Sequence, residues 1–186
     1  MRYDLGKLNR KFEKSSAVAL LQWAVKTFGA KLTLASSFGA EDVVLIDILT
    51  KIDPKIKIFT LDTGRLNEET CEVMDAVRRK YGIRVHSYFP KASAVEGLER
   101  ANGFFSFRDS IADRKECCQI RKVEPLSRAL RGARAWVTGL RRSQAVTRSE
   151  AQKIEADSAH AGLLKINPLV DWSEEDVWNY IKKNSV

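Results

Sequence analysis

The sequence predicts an α/β domain, a twisted parallel sheet with flanking helices, and three observations carry that prediction. Residues 32–34, 57–61 and 83–89 are short β-prone runs of the kind buried in a sheet. Stretches with apolar residues at helical spacing lie between them. The turns joining these elements are short, which in a β-α-β-α-β rhythm means parallel strands with right-handed crossovers. At 186 residues the chain can bury one core, and residues 1–186 read as one domain.

In chain order, Ser15-Ser16 cap a helix that runs to about Phe28 and stops at Gly29, with Val18, Leu21, Val25 and Phe28 as its apolar stripe. Leu32-Thr33-Leu34 form the first strand. Ser36-Ser37-Phe38-Gly39-Ala40 is a tight turn in which Gly39 is free to take positive φ. Glu41 opens a helix carrying Val44, Leu45, Ile48 and Leu49, and acidic residues there suit the helix dipole. A strand, a small-residue turn and a helix start form either a cradle for phosphate or carbonyl oxygens or an ordinary βα turn. Glu41 and Asp42 argue against a simple phosphate nest, since they already occupy the positive helix end.

Asp53-Pro54 breaks the chain before the second strand, and Asp62-Thr63-Gly64-Arg65 leaves that strand at its carboxyl end. Asn67 caps a helix lined by Val73, Met74, Val77 and Tyr81 and closed by Gly82. Past Pro90, residues 91–100 form a short helix and 102–105 a loop. A basic helix spans about 116–130, kinked or restarted at Pro125. Residues 135–138 and 163–166 are further strands, and Gly139-Leu140-Arg141-Arg142 again leaves a carboxyl end, the ligand side of such sheets. Ser173 and Asp176 make a capping box for a last helix with Val177, Trp178 and Ile181 on its apolar side.

Formal charge is +8, and residues 101–150 hold 11 Lys and Arg against 5 Asp and Glu. That patch suits an anionic partner, and the scarcity of interleaved aromatics weighs against nucleic acid. There is no apolar run long enough to span a membrane and no signal-peptide core at the N-terminus, so a cytoplasmic location is expected. Three cysteines do not make a secreted disulfide framework. Cys71 lies in an amphipathic helix and reads as packing. Cys117-Cys118, at the start of a basic helix, read either as half of a four-cysteine metal site or as two small, partly buried apolar residues. Arg141, Arg142 and Arg148 suit a phosphate or sulfate, or form a solvated basic loop. His86 and His160 show no evident Cys or Asp partner, and no HExxH, CxxC or GxSxG pattern occurs.

Five pieces taken together resemble the adenylylsulfate and phosphoadenylylsulfate reductases of assimilatory sulfate reduction. They are Ser36-Ser37-Phe38-Gly39-Ala40-Glu41-Asp42, Thr60-Leu61-Asp62-Thr63-Gly64-Arg65, Glu116-Cys117-Cys118-Gln119-Ile120-Arg121-Lys122-Val123-Glu124-Pro125-Leu126, Trp136-Val137-Thr138-Gly139-Leu140-Arg141-Arg142, and Asn167-Pro168-Leu169 with Trp172-Ser173. The resemblance implies an adenine nucleotide alpha hydrolase-like fold with a modified pyrophosphatase-type loop, so that residues 1–186 are one nucleotide-binding domain. Ser36, Ser37, Phe38 and Gly39, with Leu61, Asp62, Thr63 and Gly64, would hold the adenosine. Lys122, Arg141, Arg142 and Arg148 would bind the phosphosulfate.

The cysteine pair marks the branch that holds a four-iron four-sulfur cluster and prefers adenylylsulfate, which makes Cys117 and Cys118 implied cluster ligands. The implied reaction is attack of a cysteine thiolate on the phosphosulfate sulfur. AMP leaves, and thioredoxin or a similar dithiol then releases sulfite from the S-sulfonate. Family members continue with a CxxC and a tail bearing the nucleophilic cysteine. Neither is present here, so the expectation is an incomplete cluster ligand set, a nucleophile beyond Val186 and no turnover by this chain alone. The expected partners are adenylylsulfate, AMP and thioredoxin, with no nucleic acid and no membrane, and a homo-oligomer is left open. The alternatives are a phosphoadenylylsulfate reductase, a non-catalytic nucleotide-binding module and an ATP-pyrophosphatase-like enzyme.

Overall fold

Local capping signals set the first helices. The computed structural model describes residues 3–160 and 162–186 and begins with α1 (Leu5–Phe12) and α2 (Ala17–Phe28). Asp4 accepts a hydrogen bond from the Lys7 N–H at 2.9 Å and Ser16 from the Ala19 N–H at 3.2 Å, so each supplies an orphan donor of its helix with a partner. There follow β1 (Leu32–Ala35), α3 (Ala40–Ile52), β2 (Lys57–Leu61), α4 (Glu68–Tyr81), β3 (Val85–Tyr88) and α5 (Ala92–Asn102). Helix α6 (Ile111–Cys118) runs through a π-helical turn, Gln119–Val123, into α7 (Glu124–Ala129). Strands β4 (Ala135–Val137), β5 (Ile154–Ala156) and β6 (Leu164–Ile166) and helix α8 (Glu174–Asn184) complete the chain.

The strands form one sheet in the order β3-β2-β1-β4-β6-β5. Neighbours are parallel except β5 and β6, which run antiparallel, so the sheet is mixed rather than wholly parallel. Chain order reverses at β1, and the carboxyl ends of β1 and β4 flank the switch point. Strand β5 is three residues long and carries no alternation to read. It is held instead by tertiary contacts: the Asn9 side chain donates to the Ile154 carbonyl at 2.8 Å and accepts from its N–H at 3.0 Å, which covers this edge.

Alternation along the strands separates two apolar faces. Leu32, Leu34, Ile58, Ala135, Val137 and Ile166 belong to the larger cluster, under α2, α3 and neighbouring helices. Phe59 belongs to a smaller one with Ala129 and Leu130, against which Ala35, Leu61 and Trp136 pack. Helix α7 contacts β2 and β3 on this second face. The remainder of that face, at the strand ends, stays open as a cleft.

Several inward-facing residues differ from the sequence expectation. Helix α2, packed on α3, buries Ala17, Leu20, Leu21, Ala24 and Phe28 and leaves Val18 exposed. In α8 Val177 is buried and Trp178 exposed, while Tyr180 turns inward to the Asp47 carboxylate. Helix α4 buries only Val77 fully, so Cys71 and Val73 face solvent and Cys71 is not a packing residue. Asn67 occupies the N-cap of α4, but its side chain makes no capping bond. The basic helix starts earlier than expected, at Ile111, where Ser110 accepts from the Asp113 N–H at 3.0 Å. Cys117 and Cys118 therefore end α6 instead of starting it, away from any positive helix end. Pro125, which has no N–H to give, falls in the first turn of α7 after a π turn in which the Glu124 N–H donates to the Gln119 carbonyl.

Candidate nucleotide site

The turn after β1 sets the floor of the cleft. Phe38, not Gly39, takes the left-handed conformation, with φ +62°, while Gly39 is extended and N-caps α3. The Phe38 ring is buried in the larger cluster, so packing offsets the strained backbone. Ser36 Oγ accepts from the Phe38 N–H at 3.1 Å. Asp42 Oδ2 accepts from the Ser37 N–H at 2.5 Å and the Ser37 hydroxyl at 2.8 Å. Burial pushes the Asp42 carboxyl above its ordinary range, against the pull of the Ser37 hydrogen bonds.

Glu41 behaves differently. Burial works to raise it, but its backbone hydrogen bond, Arg141 and Gln144 together hold it below its ordinary value. Arg141 Nε lies 2.7 Å from Glu41 Oε1. Gly139, at the end of β4, packs directly on these two residues. A Cβ there would stand 2.5 Å from Asp42 Oδ1 and 2.9 Å from the Glu41 Cβ, so only glycine fits.

The cleft encloses about 700 Å³ at the switch point. Ala35, Phe59, Trp136 and Lys165 rise from the strands, and Ser36, Ser37, Glu41 and Asp42 come from the first turn. Leu61, Thr63 and Arg65 close it on one side, with Lys122 and Leu126 from the π turn and α7. Thr138, Gly139, Leu140, Gln144 and Arg148 follow β4. Arg121 is buried beneath, donating to the Thr63 carbonyl at 2.8 Å and to Glu99 at 2.5 Å, and so ties the turn after β2 to the π turn.

Of the residues singled out in the sequence, Ser36, Ser37, Leu61, Thr63, Lys122 and Arg148 line this cleft. Asp62 and Gly64 shape its edge: the Asp62 carboxylate accepts from the Gly64 N–H at 2.9 Å, and Gly64 has φ +72°. Phe38 and Gly39 support it from below. Arg141 is spent on Glu41 and on Ser143 at 2.7 Å. Arg142 is not brought together with the others. Extended backbone at Arg141 sends successive side chains to opposite sides, and Arg142 lines a separate polar cavity of about 490 Å³, bonded to Asp171 and to the Ala151 carbonyl at 2.8 Å. Trp136 and Lys165 were missed, although alternation along β4 and β6 places them on the cleft face. His160 does have an acidic partner: its Nδ1 lies 3.0 Å from Asp157 Oδ2, within one turn of chain.

Cys117 is half-buried and Cys118 exposed, and all three cysteines are free. Among the described residues no three His, Cys, Asp or Glu side chains gather as a metal site. No helix among them is long and apolar enough to cross a membrane.

Residues 31–186 match the phosphoadenosine phosphosulfate reductase domain. The chain belongs to that family. An adenosine 5'-phosphosulfate reductase of Allochromatium vinosum is 46% identical over 173 residues, covering 93% of this chain and 67% of the relative. The 5'-adenylylsulfate reductase 1, chloroplastic, of Arabidopsis thaliana is 40% identical over 191 residues, covering 98% of this chain and 40% of the relative. The chain thus spans between two-fifths and two-thirds of these relatives' lengths. A crystal structure of phosphoadenylyl-sulfate reductase from Candida auris, a phosphate complex, superposes with a TM-score of 0.84 at 28% identity, covering 100% of this chain and 89% of that one. The reductase-family fold, an adenine nucleotide alpha hydrolase-like α/β domain, is as the sequence predicted, with one antiparallel edge strand added.

Proposed function

We propose that the cleft of this reductase-family domain binds adenylylsulfate, with AMP as product. The domain would serve an assimilatory adenylylsulfate reductase, a cytoplasmic oxidoreductase that forms sulfite with thioredoxin or a similar dithiol as donor. One observation carries the reading. Lys122 and Arg148 reach the same cleft from different elements, and neither has a carboxylate partner among the described residues. Two uncompensated cations suit a phosphosulfate, while Phe59, Leu61, Leu126 and Trp136 supply apolar surface for the base. The names of the 40–47% identical relatives support the choice of nucleotide.

In this reading a thiolate attacks the sulfur, the bond from sulfur to the phosphate oxygen breaks, and AMP departs with the electron pair. The dithiol then exchanges with the S-sulfonate, sulfite leaves, and the donor is oxidised to a disulfide. No cysteine of this chain lines the cleft, so none is assigned as nucleophile. A four-iron four-sulfur cluster needs four thiolates. Cys117 and Cys118, neighbours at the end of α6, do not by themselves fit it.

Calorimetry with adenylylsulfate and AMP tests the proposal. Lys122→Ala and Arg148→Ala should each weaken adenylylsulfate binding by about tenfold, and Arg142→Ala should not. Unchanged affinity in both of the first two variants would remove the cations from the site. Turnover of the 3′-phosphorylated nucleotide is a second reading, drawing on Arg65 and Lys165, which also line the cleft. It is disfavoured because Glu99 stands 3.9 Å from Arg65 and Glu155 3.6 Å from Lys165. The ratio of kcat/KM for the two nucleotides decides between them.

A further inference from the structure

A turn between a strand and a helix N-terminus offers its N–H groups to an anion. In this domain the anion is already built in. The Ser37 N–H and hydroxyl both point to Asp42 Oδ2, and the Phe38 N–H is occupied by Ser36 Oγ. Asp42 is only 7% exposed, and the end of β4 presses on it at Gly139. No Lys or Arg pairs with it among the described residues, whereas its neighbour Glu41 is neutralised by Arg141. Asp42 and Ser37 both line the cleft. A ligand phosphate entering the turn would meet occupied donors and a like charge.

We infer that Asp42 is a specificity-determining residue, an internal carboxylate that stands where a phosphate would otherwise bind and makes the cleft reject pyrophosphate and nucleoside triphosphates at the turn after β1. The inference rests on the reading of the cleft as an adenine-nucleotide site. It adds that discrimination within that class is exerted by occupation of the turn, not only by the cations on the rim. A nucleotide whose anionic group lies toward Lys122 and Arg148 does not contest the turn. One that places phosphates over Ser37 must displace a buried carboxylate held by two hydrogen bonds.

Two variants separate the two ways Asp42 acts. Asp42→Asn keeps an acceptor for Ser37 and removes the charge. Asp42→Ser removes the carboxylate and frees the Ser37 donors. Pyrophosphate, ATP and AMP are titrated by calorimetry into the whole chain and both variants, with circular dichroism as the folding check. Pyrophosphate should bind Asp42→Ser at least about tenfold tighter than the parent. Asp42→Asn should show a smaller gain in the same direction, and because Asp42 lines the cleft each gain is read as the ratio of pyrophosphate to AMP affinity within the same variant. If pyrophosphate affinity is unchanged in the variants that fold, or the parent already binds pyrophosphate as tightly as AMP, the inference is overturned. Failure of AMP to bind the parent would instead remove the nucleotide reading, while the pyrophosphate comparison would still report on the turn. Should Asp42→Ser not fold, the Asn variant and the parent titration decide.

Discussion

Asp42 and Asp47 lie on the same helix, both are buried, and their carboxyls shift in opposite directions. Burial raises both. For Asp47, hydrogen bonds from Lys51 at 2.6 Å, Tyr180 at 2.7 Å and Tyr81 at 3.0 Å outweigh it and hold the group below its ordinary value. For Asp42 the donors are the N–H and hydroxyl of one serine, and burial wins. The difference is a cation. Lys51 lends its charge from a 57% exposed side chain, so the pair gains attraction without burying both partners. Asp47 thereby fastens α4 and α8 to α3 and is structural. Asp42 carries an uncompensated charge at the wall of the cleft, where a purely structural role would favour a neutral residue.

The largest expected effect breaks the structural half of this comparison. Asp47→Ala leaves two part-buried tyrosine hydroxyls without their acceptor and should cost about 3 kcal/mol, read from the urea midpoint at constant m-value. AMP affinity should not change, because the residue does not line the cleft. A loss under about 1 kcal/mol would show that the three hydrogen bonds merely replace bonds to water.

Next in size is Gly139→Ala, which acts on the other half. Its Cβ would stand 2.5 Å from Asp42 Oδ1, and the end of β4 cannot yield without moving a floor residue of the cleft. We expect a stability loss of about 2 kcal/mol together with at least about tenfold weaker AMP binding. Loss of stability with binding intact would mean that β4 and α3 can separate without disturbing the site.

The pH dependence sharpens the Asp47 half. Its folded pKa is lowered, so its stabilisation is complete above the unfolded carboxylate value of about 4 and is lost as pH falls through the lower folded value. Tyr81 and Tyr180 are raised, chiefly by burial and then by their hydrogen bonds to Asp47. Their contribution is complete below about pH 10 and is lost as pH rises through the folded values. The stability difference between the parent and Asp47→Asn should therefore be flat from about pH 5 to 9 and shrink at both ends. A difference that grew toward acid would reverse the assigned sign.

Legibility in the sequence followed the range of the forces involved. The rhythm from β1 to β3, the Ser16 and Ser173 caps and the bounds of β2 were readable because propensity and capping act within a few residues. Strand β5 was not, since Asn9 holds it from far along the chain and β6 pairs with it only across the intervening loop. The left-handed residue was misplaced onto Gly39 because the burial that offsets strain at Phe38 is tertiary. Arg141, Arg142 and Arg148 looked alike as charges in a loop, and only the fold shows one spent on Glu41, one turned to Asp171 and one facing the cleft. Lys122 and the turn residues Ser36 and Ser37 could be identified through resemblance, whereas Trp136 and Lys165 needed the strand alternation and the sheet order to be known together.

The smallest expected effect is also the one most diagnostic of the contrast. Asp42→Asn is nearly isosteric and retains an oxygen for the Ser37 donors. It removes a buried carboxyl whose folded pKa is raised. The sign is opposite to that of Asp47: with a raised folded pKa, the aspartate's contribution is complete below the unfolded value and declines as pH rises through the folded one. The asparagine variant should therefore be as stable as the parent, or more stable by up to about 1 kcal/mol, at pH 7. Its advantage should fall away as pH drops through the raised folded value toward the unfolded carboxylate value of about 4. Asp47→Asn should be destabilised at pH 7 and lose that deficit in acid, so paired urea curves at the two pH values give slopes of opposite sign. A loss above about 2 kcal/mol at pH 7 for Asp42→Asn would show that the ionised hydrogen bonds to Ser37 outweigh desolvation. Asp42 would then be as structural as Asp47, and the two carboxyls of α3 would obey one rule.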